Sequence, residues 1–437
     1  MSELLKIILV FPLFLIFIYV PFPIFNKANS EIKLSFLTYN LIINCNIFLF
    51  FSLLPVSIKE YQNIFIFLYI LIFVYTAFLY KINLIKKNYT DLFVFFLSFF
   101  ILACVIANNL NLGWDAKFFY YIKSLFFYEG LHVGDLVNFE NNKWHPHLGS
   151  YLWAFFWKIP LLDIEYFGRL FYLFIFTFSI YFVCIKINKN SFFSYILYFL
   201  ILIIFFQYER FSGLQEILIF SFLIISSKIL YNLNIKSKFF DIIIILSIAN
   251  IMMWIKSEGI IYSAIIIVIL LFNKNIQLKE KIYTVLSFIV LFFLKVLIFK
   301  YYNFEVDAQP YNLEYIKFIS LNEFLYKIYL ITIYLGYYSL KNIIFVLGVL
   351  LLLVLNFTNR NKISLINYNL FFILNIGFIF SAYLFRDLDI LNASIEYSLR
   401  TTLERIVFTS SSFYLYLILI FINNNFNFLR NNGKINK

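Results

Sequence analysis

Cysteine, histidine and charge are all scarce in this chain of 437 residues. The three cysteines, Cys45, Cys104 and Cys184, each fall inside an apolar run and have no metal-ligand spacing, which excludes a thiolate metal centre and leaves them as inert filling. Charged residues make up only 13% of the chain, roughly half of what a soluble domain carries. A small-residue cleavage site is missing after the first apolar run, near 4–25, and more apolar runs follow, so that run reads as a retained helix rather than a signal peptide. No internal repeat relates 1–220 to 221–437.

What is present is hydrophobic. Apolar residues account for 63% of the chain, with 61 Phe and 34 Tyr, and the mean hydropathy is +0.87. No single soluble domain has that composition; it describes an all-α polytopic membrane protein. Runs of about 17 to 25 apolar residues, enough to cross roughly 30 Å of hydrocarbon as helices, recur from end to end. About eleven to thirteen spans are expected, in one transmembrane domain covering 1–437. The abundance of Ile, Lys, Asn, Phe and Tyr fits an AT-rich genome, so aromatic runs are not read as sites on their own. The net charge of +12 comes from short connectors carrying Lys81, Lys86 and Lys87, Lys186 and Lys189, Lys236 and Lys238, Lys274 to Lys281, Arg360 and Lys362, and a tail with Arg430, Lys434 and Lys437. Such connectors mark a cytoplasmic side and argue against a nucleic-acid groove.

With 81–90 cytoplasmic, the span near 91–107 delivers the loop 108–163 to the far side, periplasmic in a bacterium. The rare residues gather there. His132, His145 and His147 are all the histidines of the chain, and they lie with Trp114, Trp144, Trp153, Trp157, Gly113, Gly130, Gly134 and Gly149. The stretch "GWDAKFFYYIKSLFFYEG" predicts an amphipathic helix from Asp115 to Glu129, with Phe118, Phe119, Ile122 and Phe126 on one face and Lys123 off it, lying on the membrane up to Gly130. A second membrane-lying helix is predicted in "HPHLGSYLWAFFWKIP", 145–160, too short to span and rich in interfacial Trp. Continued alternation of spans puts 208–214, 256–259 and 302–325 on the same side; 312–340 reads as either a surface helix or a span, and parity that makes 386–404 periplasmic favours the surface helix followed by a span at 341–357.

Carboxylates near a membrane edge are costly to leave idle, so each acidic residue in these turns is a candidate. Asp115 follows Trp114 at the mouth of a span; its plain alternative is an N-cap for the next helix. Glu216, in "YERFSGLQEILIF", sits just inside a span near Glu209 and Arg210; the alternative is an interfacial Arg–Glu pair. Lys256 and Glu258, in "MWIKSEGIIYSA", open a helix, where a snorkelling lysine and a first-turn glutamate are the plain reading. Arg400, Glu404 and Arg405, in "YSLRTTLERIVF", precede the last span, where cations commonly anchor a helix. Helix starts facing one compartment converge readily on one cavity holding carboxylates beside fixed cations. That combination suits departure of a phosphate: a carboxylate deprotonates an acceptor hydroxyl while Lys or Arg stabilises the charge developing on the leaving group. His145 and His147, two apart around Pro146, are poorly spaced for chelation, so no metal site is assigned; a divalent metal is the less favoured alternative.

In the order of these elements the chain after residue 85 resembles the GT-C glycosyltransferases, in particular the protein mannosyltransferase and lipid A aminoarabinose transferase branch. The resemblance implies an early periplasmic loop opening with an acidic residue and carrying two membrane-lying helices. It implies Asp115 as catalytic base and Glu216, in Gly213 to Glu216, as a second essential carboxylate. Lys256, in Lys256 to Gly259, would contact the donor phosphate, and "SLRTTLERIVF" is similar to a Ser-Leu-x-Arg element before the last span. Lys117, His145, His147, Glu258, Arg400 and Arg405 join Lys256 as substrate-binding candidates. The sequence departs from the family pattern at Asp115-Ala116, where an acidic pair is usual, at Pro146-His147 in place of Pro-Pro, and at position 216, where Glu replaces Asp. The expected activity is inverting transfer of a sugar from a polyprenyl-phosphate donor to a lipid or cell-surface glycan acceptor, at the periplasmic face of the bacterial inner membrane. No cofactor and no nucleic-acid partner are expected. A polysaccharide polymerase or ligase and a lipid-linked sugar flippase are the other classes compatible with this layout.

Overall fold

The computed structural model describes residues 3–20, 34–79, 89–138, 145–159, 162–185, 187–188, 190–235, 239–304, 320–358, 362–386 and 394–435. Trp144 and the connector positions Lys81, Lys86, Lys87, Lys186, Lys189, Lys236, Lys238 and Arg360 lie outside them. The described residues form helices and no β-strand, as expected of long Ile-, Leu- and Phe-rich runs that satisfy their own backbone within one segment. The chain divides into two compact units, the first comprising 1–221, 246–260 and 294–304, the second 222–245, 261–293 and 305–437.

The first unit contains α1 (Glu3–Tyr19), α2 (Leu34–Leu53), α3 (Ile58–Leu79), α4 (Tyr89–Asn108), α5 (Tyr121–Glu129), α6 (Leu148–Trp157), α7 (Tyr166–Cys184) and α8 (Ser191–Phe205). It also holds the start of α9 (Glu216–Ile235), the end of α10 (Phe239–Ile255), the start of α11 (Ser257–Phe272) and the end of α12 (Leu278–Tyr301). The carbonyls that end α1 have no partner within the helix, and two buried asparagines of α2 supply it. Asn40 donates to Ile18, and Asn44 donates to Phe17 and, at 2.7 Å, to Val20. Around them the phenylalanines interlock: Phe156 stacks on Phe171 at 3.8 Å, and Phe14, Phe17, Phe48 and Phe155 pack edge-on against the same cluster.

α6 departs from the expectation of a membrane-lying helix. Residues 148 to 156 are all buried, and α2, α5 and α7 pack around them. Small residues allow that approach: a Cβ on Gly168 of α7 would come within 2.4 Å of the Trp153 carbonyl. Two further ties come from α3, where Tyr61 bonds to Tyr151 and Gln62 donates to the Phe155 carbonyl at 2.5 Å. The segment after Asp115 also departs. It begins as a π-turn, Ala116–Tyr120, before α5, and the wider turn shifts the phase of everything after it. The buried face is therefore Ala116, Tyr120, Lys123, Ser124 and Phe127, whereas Phe118 of the predicted apolar face is exposed.

The second unit contains α13 (Leu321–Lys341), α14 (Ile343–Phe357), α15 (Lys362–Leu384), α16 (Ile395–Ser398) and α17 (Glu404–Ile435), with the remaining parts of α9 to α12. Ser320 and Asn342 cap the N-termini of α13 and α14 by accepting from the Glu323 and Phe345 amides. Asn342 also donates its own amide to Tyr338 and Ser339 at the end of α13, so one residue ends one helix and starts the next across a bend of 101°. Inside the unit, Ser410 links Tyr262 and Asn375, and Ser227 donates to the Phe413 carbonyl at 2.7 Å.

Among the described residues, eight helices are long and apolar enough to cross a membrane, or nine if α13 and α14 count as one bent span. The number is below the eleven to thirteen expected because α8, α10 and α11 are apolar but only 15, 17 and 16 residues long. The protein is an all-α membrane protein, and the helices outline its character at once: α7 is wholly buried while α12 is 11% buried over its apolar stretch.

Candidate functional site

The first unit brings together three stretches far apart in sequence. Glu216 is the first residue of α9, and Lys256 occupies the break between α10 and α11. Their side chains meet at 2.6 Å, both almost fully buried, and Glu258 lies 3.3 Å from the same ammonium. Gly259 is what lets the chain turn back so tightly there, since a Cβ at that position would stand 1.9 Å from the Met252 carbonyl oxygen. Glu216 thus pairs with Lys256, and the Arg210 Nε donates to Gln207 at 3.1 Å.

The turn that Asp115 opens is tied by its backbone to the loop leading to Glu216. The Gly113 amide donates to the Ser212 carbonyl at 3.0 Å, holding the mouth of the π-turn against the loop that leads to Glu216. Gly213, in the left-handed region at φ +95°, presses on Ala116 and on the Trp153 ring, a backbone conformation and a proximity that only glycine accepts without strain. Asp115 makes no capping hydrogen bond, so the plain N-cap reading is not what its carboxylate does. Five residues on, the buried Tyr120 phenol has its ionisation pushed upward, first by burial and then by Glu216, Glu258 and Asp115, with Lys256 opposing.

The histidines divide. His147 is buried, its Nε2 in hydrogen-bond contact with the Ser52 hydroxyl at 3.1 Å, and that hydroxyl also lies 2.7 Å from the Leu49 carbonyl. Phe127 and Trp254 flank the ring. His145 is partly exposed, and its carbonyl accepts from Lys123 at 2.8 Å. Burial, helped by Lys123 in each case, pushes both imidazoles down to about 3. Burial likewise lowers the Lys123 ammonium to about 7. Lys117 is exposed. Arg400 and Arg405 belong to the second unit, where Arg400 donates to the Tyr334 hydroxyl at 2.9 Å and lies 3.9 Å from Glu396, and Arg405 donates to the Thr401 carbonyl. Among the described residues no three His, Cys, Asp or Glu side chains cluster so as to hold a metal.

Several residues that matter here were not singled out from the sequence. Lys295, on α12, is buried, donates to the Met253 carbonyl at 2.5 Å and lies over the Trp254 and Phe299 rings; a lysine inside an otherwise apolar span is itself a readable signal. Arg169 is wholly buried and grips Glu165 through two hydrogen bonds, 2.8 and 3.0 Å, while Glu165 accepts from the Trp153 indole at 2.9 Å. That bidentate pair, i to i+4 on α7, sets the wall behind Gly213. Tyr120, Ser150 and Gln215 carry no sequence signal of function.

Compared with protein-family models, with curated proteins and with solved structures, the chain finds no match in any of the three.

Proposed function

We propose that the chain is an integral-membrane glycosyltransferase that moves a sugar from a polyprenyl-phosphate donor to a lipid or cell-surface glycan acceptor at the periplasmic face of a bacterial inner membrane. What supports the reading is one arrangement: Glu216, Lys256 and Glu258 form a single buried ion-pair cluster, and the Gly113 amide bonds the turn that Asp115 opens to the loop leading to Glu216. In the proposed reaction Asp115 takes the proton of the acceptor hydroxyl, whose oxygen attacks the anomeric carbon. The bond from that carbon to the phosphate oxygen breaks, and its electron pair leaves with the phosphate, where Lys256 offsets the charge. Glu216 and Glu258 hold the ammonium in place until then. Inversion at the anomeric carbon follows from a single in-line displacement.

The test is turnover of a labelled polyprenyl-phosphate sugar by the purified protein in lipid nanodiscs. Asp115→Asn is expected to lower carrier release by at least about 10²-fold with folding retained, whereas Asp135→Asn, which alters a carboxylate 3.4 Å from His132, leaves it unchanged. Equal turnover by wild type and Asp115→Asn would refute the assignment. A second reading, a lipid-linked sugar flippase, is favoured by the 101° break between α13 and α14, since transporters commonly use broken helices. Lipid movement without carrier release in liposomes would select it.

A further inference from the structure

We infer that Gln215 is a positioning residue that sets Lys256 and Glu216 against the Asp115 turn; its catalytic consequence rests on the transferase reading, while its geometry does not. Gln215 is wholly buried and immediately precedes Glu216. In the orientation that satisfies both ends of its amide, the nitrogen donates to the Ile255 carbonyl at 2.5 Å and the oxygen accepts from the Ser150 amide at 3.0 Å. Ile255 is the residue before Lys256, and its carbonyl is one of those left over where α10 ends. Ser150 lies in the first turn of α6, whose amides are likewise left over. The Ser150 hydroxyl stands between two acceptors, 3.1 Å from the Gln215 amide and 3.0 Å from the Tyr120 carbonyl, which closes the π-turn begun after Asp115.

One side chain therefore touches, directly or through Ser150, each stretch that brings a charge to the site. Gly149 fixes the fit from the other side, because a Cβ there would meet the Gln215 amide carbon at 2.4 Å. Only an amide of this length both donates to one backbone and accepts from another; a methionine of similar shape does neither. A filler residue would be indifferent to that change apart from general loosening. A positioning residue would alter Lys256 selectively.

The buried lysines give a readout that separates the two. Lys123 and Lys295 lie in the same unit and donate elsewhere, to the His145 and Met253 carbonyls. The full-length protein in nanodiscs would be treated with acetic anhydride, and acylation rates at Lys123, Lys256 and Lys295 followed by mass spectrometry in wild type, Gln215→Met and Gly149→Ala. Both substitutions are expected to speed acylation of Lys256 by about tenfold, the fold-change for loss of one buried hydrogen bond, with Lys123 and Lys295 unchanged. In the transfer assay kcat should fall on the order of tenfold with the donor KM preserved, as for a displaced reacting group. A rise at all three lysines together, or none at Lys256, would overturn the assignment. Selective change at Lys256 in a protein that turns over no polyprenyl-phosphate sugar would keep the positioning role and discard the transferase.

Discussion

Two acid–base pairs of similar composition sit near helix starts in different units and differ in nearly everything else. Lys256 and Glu216 meet at 2.6 Å with side chains 9% and 6% exposed; Arg400 and Glu396 stand 3.9 Å apart at 65% and 43% exposed. In sequence each cation stands before an apolar helix with a carboxylate close by, Glu258 for Lys256 and Glu404 for Arg400, and only the fold brings Glu216 to Lys256. Burial separates them: in low dielectric each partner of the first pair depends on the other, whereas water and salt screen the second. The lesson is that proximity to a helix start nominates a charge, and only its surroundings make it consequential.

The sharpest way to break that contrast is to remove one member of the buried pair. Lys256→Met leaves Glu216 charged in the interior and should destabilise the protein by about 3–5 kcal/mol, read as the loss of monomeric protein on heating in detergent. Adding Glu216→Gln to Lys256→Met should recover much of that stability without recovering transfer. Single and double variants of equal stability would show that the pair is not coupled.

A smaller effect lies in the pH dependence of the surrounding residues. His145 and His147 ionise in the fold only near 3 instead of at the usual 6.5, so between those values the unfolded chain binds protons that the fold refuses. Stability therefore falls as pH drops through that window, by up to about 1.4 kcal/mol per unit for each imidazole. The sign for Lys123, held at about 7 against an ordinary 10.5, is the same: stability rises with pH between the two. His147→Gln should remove roughly half of the acid-side slope in thermal unfolding followed from pH 6.5 down. An unchanged slope would mean that His147 is not held neutral.

The smallest expected effect is at the exposed pair. Arg400→Gln and Glu396→Gln should leave thermal stability within error, and a stability loss matching that of Lys256→Met would erase the contrast between the two sites.

Much of this was legible beforehand, for reasons that also explain what was not. The helical class follows from composition, and the stretches around Asp115, Glu216 and Lys256 stand out because charges in apolar surroundings are few. The depth of each helix was not legible: α7 and α12 are both long and apolar, yet one is wholly buried and the other almost bare of protein, since hydropathy does not distinguish lipid from protein as the surrounding medium. α6 is apolar on nearly every side, the pattern of a helix buried in protein or in lipid, and its ten residues are too few to span, which is why it reads as lying on the membrane. The π-turn after Asp115 was hidden because residue spacing assumes the ordinary α-helical repeat. Gln215 and Ser150 escaped because their importance lies in the backbone groups they reach, which no side-chain pattern announces.

Lys295 has a consequence for α12 as a whole. Nearly every other side chain along that helix is interchangeable grease facing outward, giving little to choose between one angular setting about its long axis and another. The buried ammonium of Lys295 removes the degeneracy: swivelled by a quarter turn it would be thrust among acyl chains, so that cation indexes the helix much as a key seats a shaft.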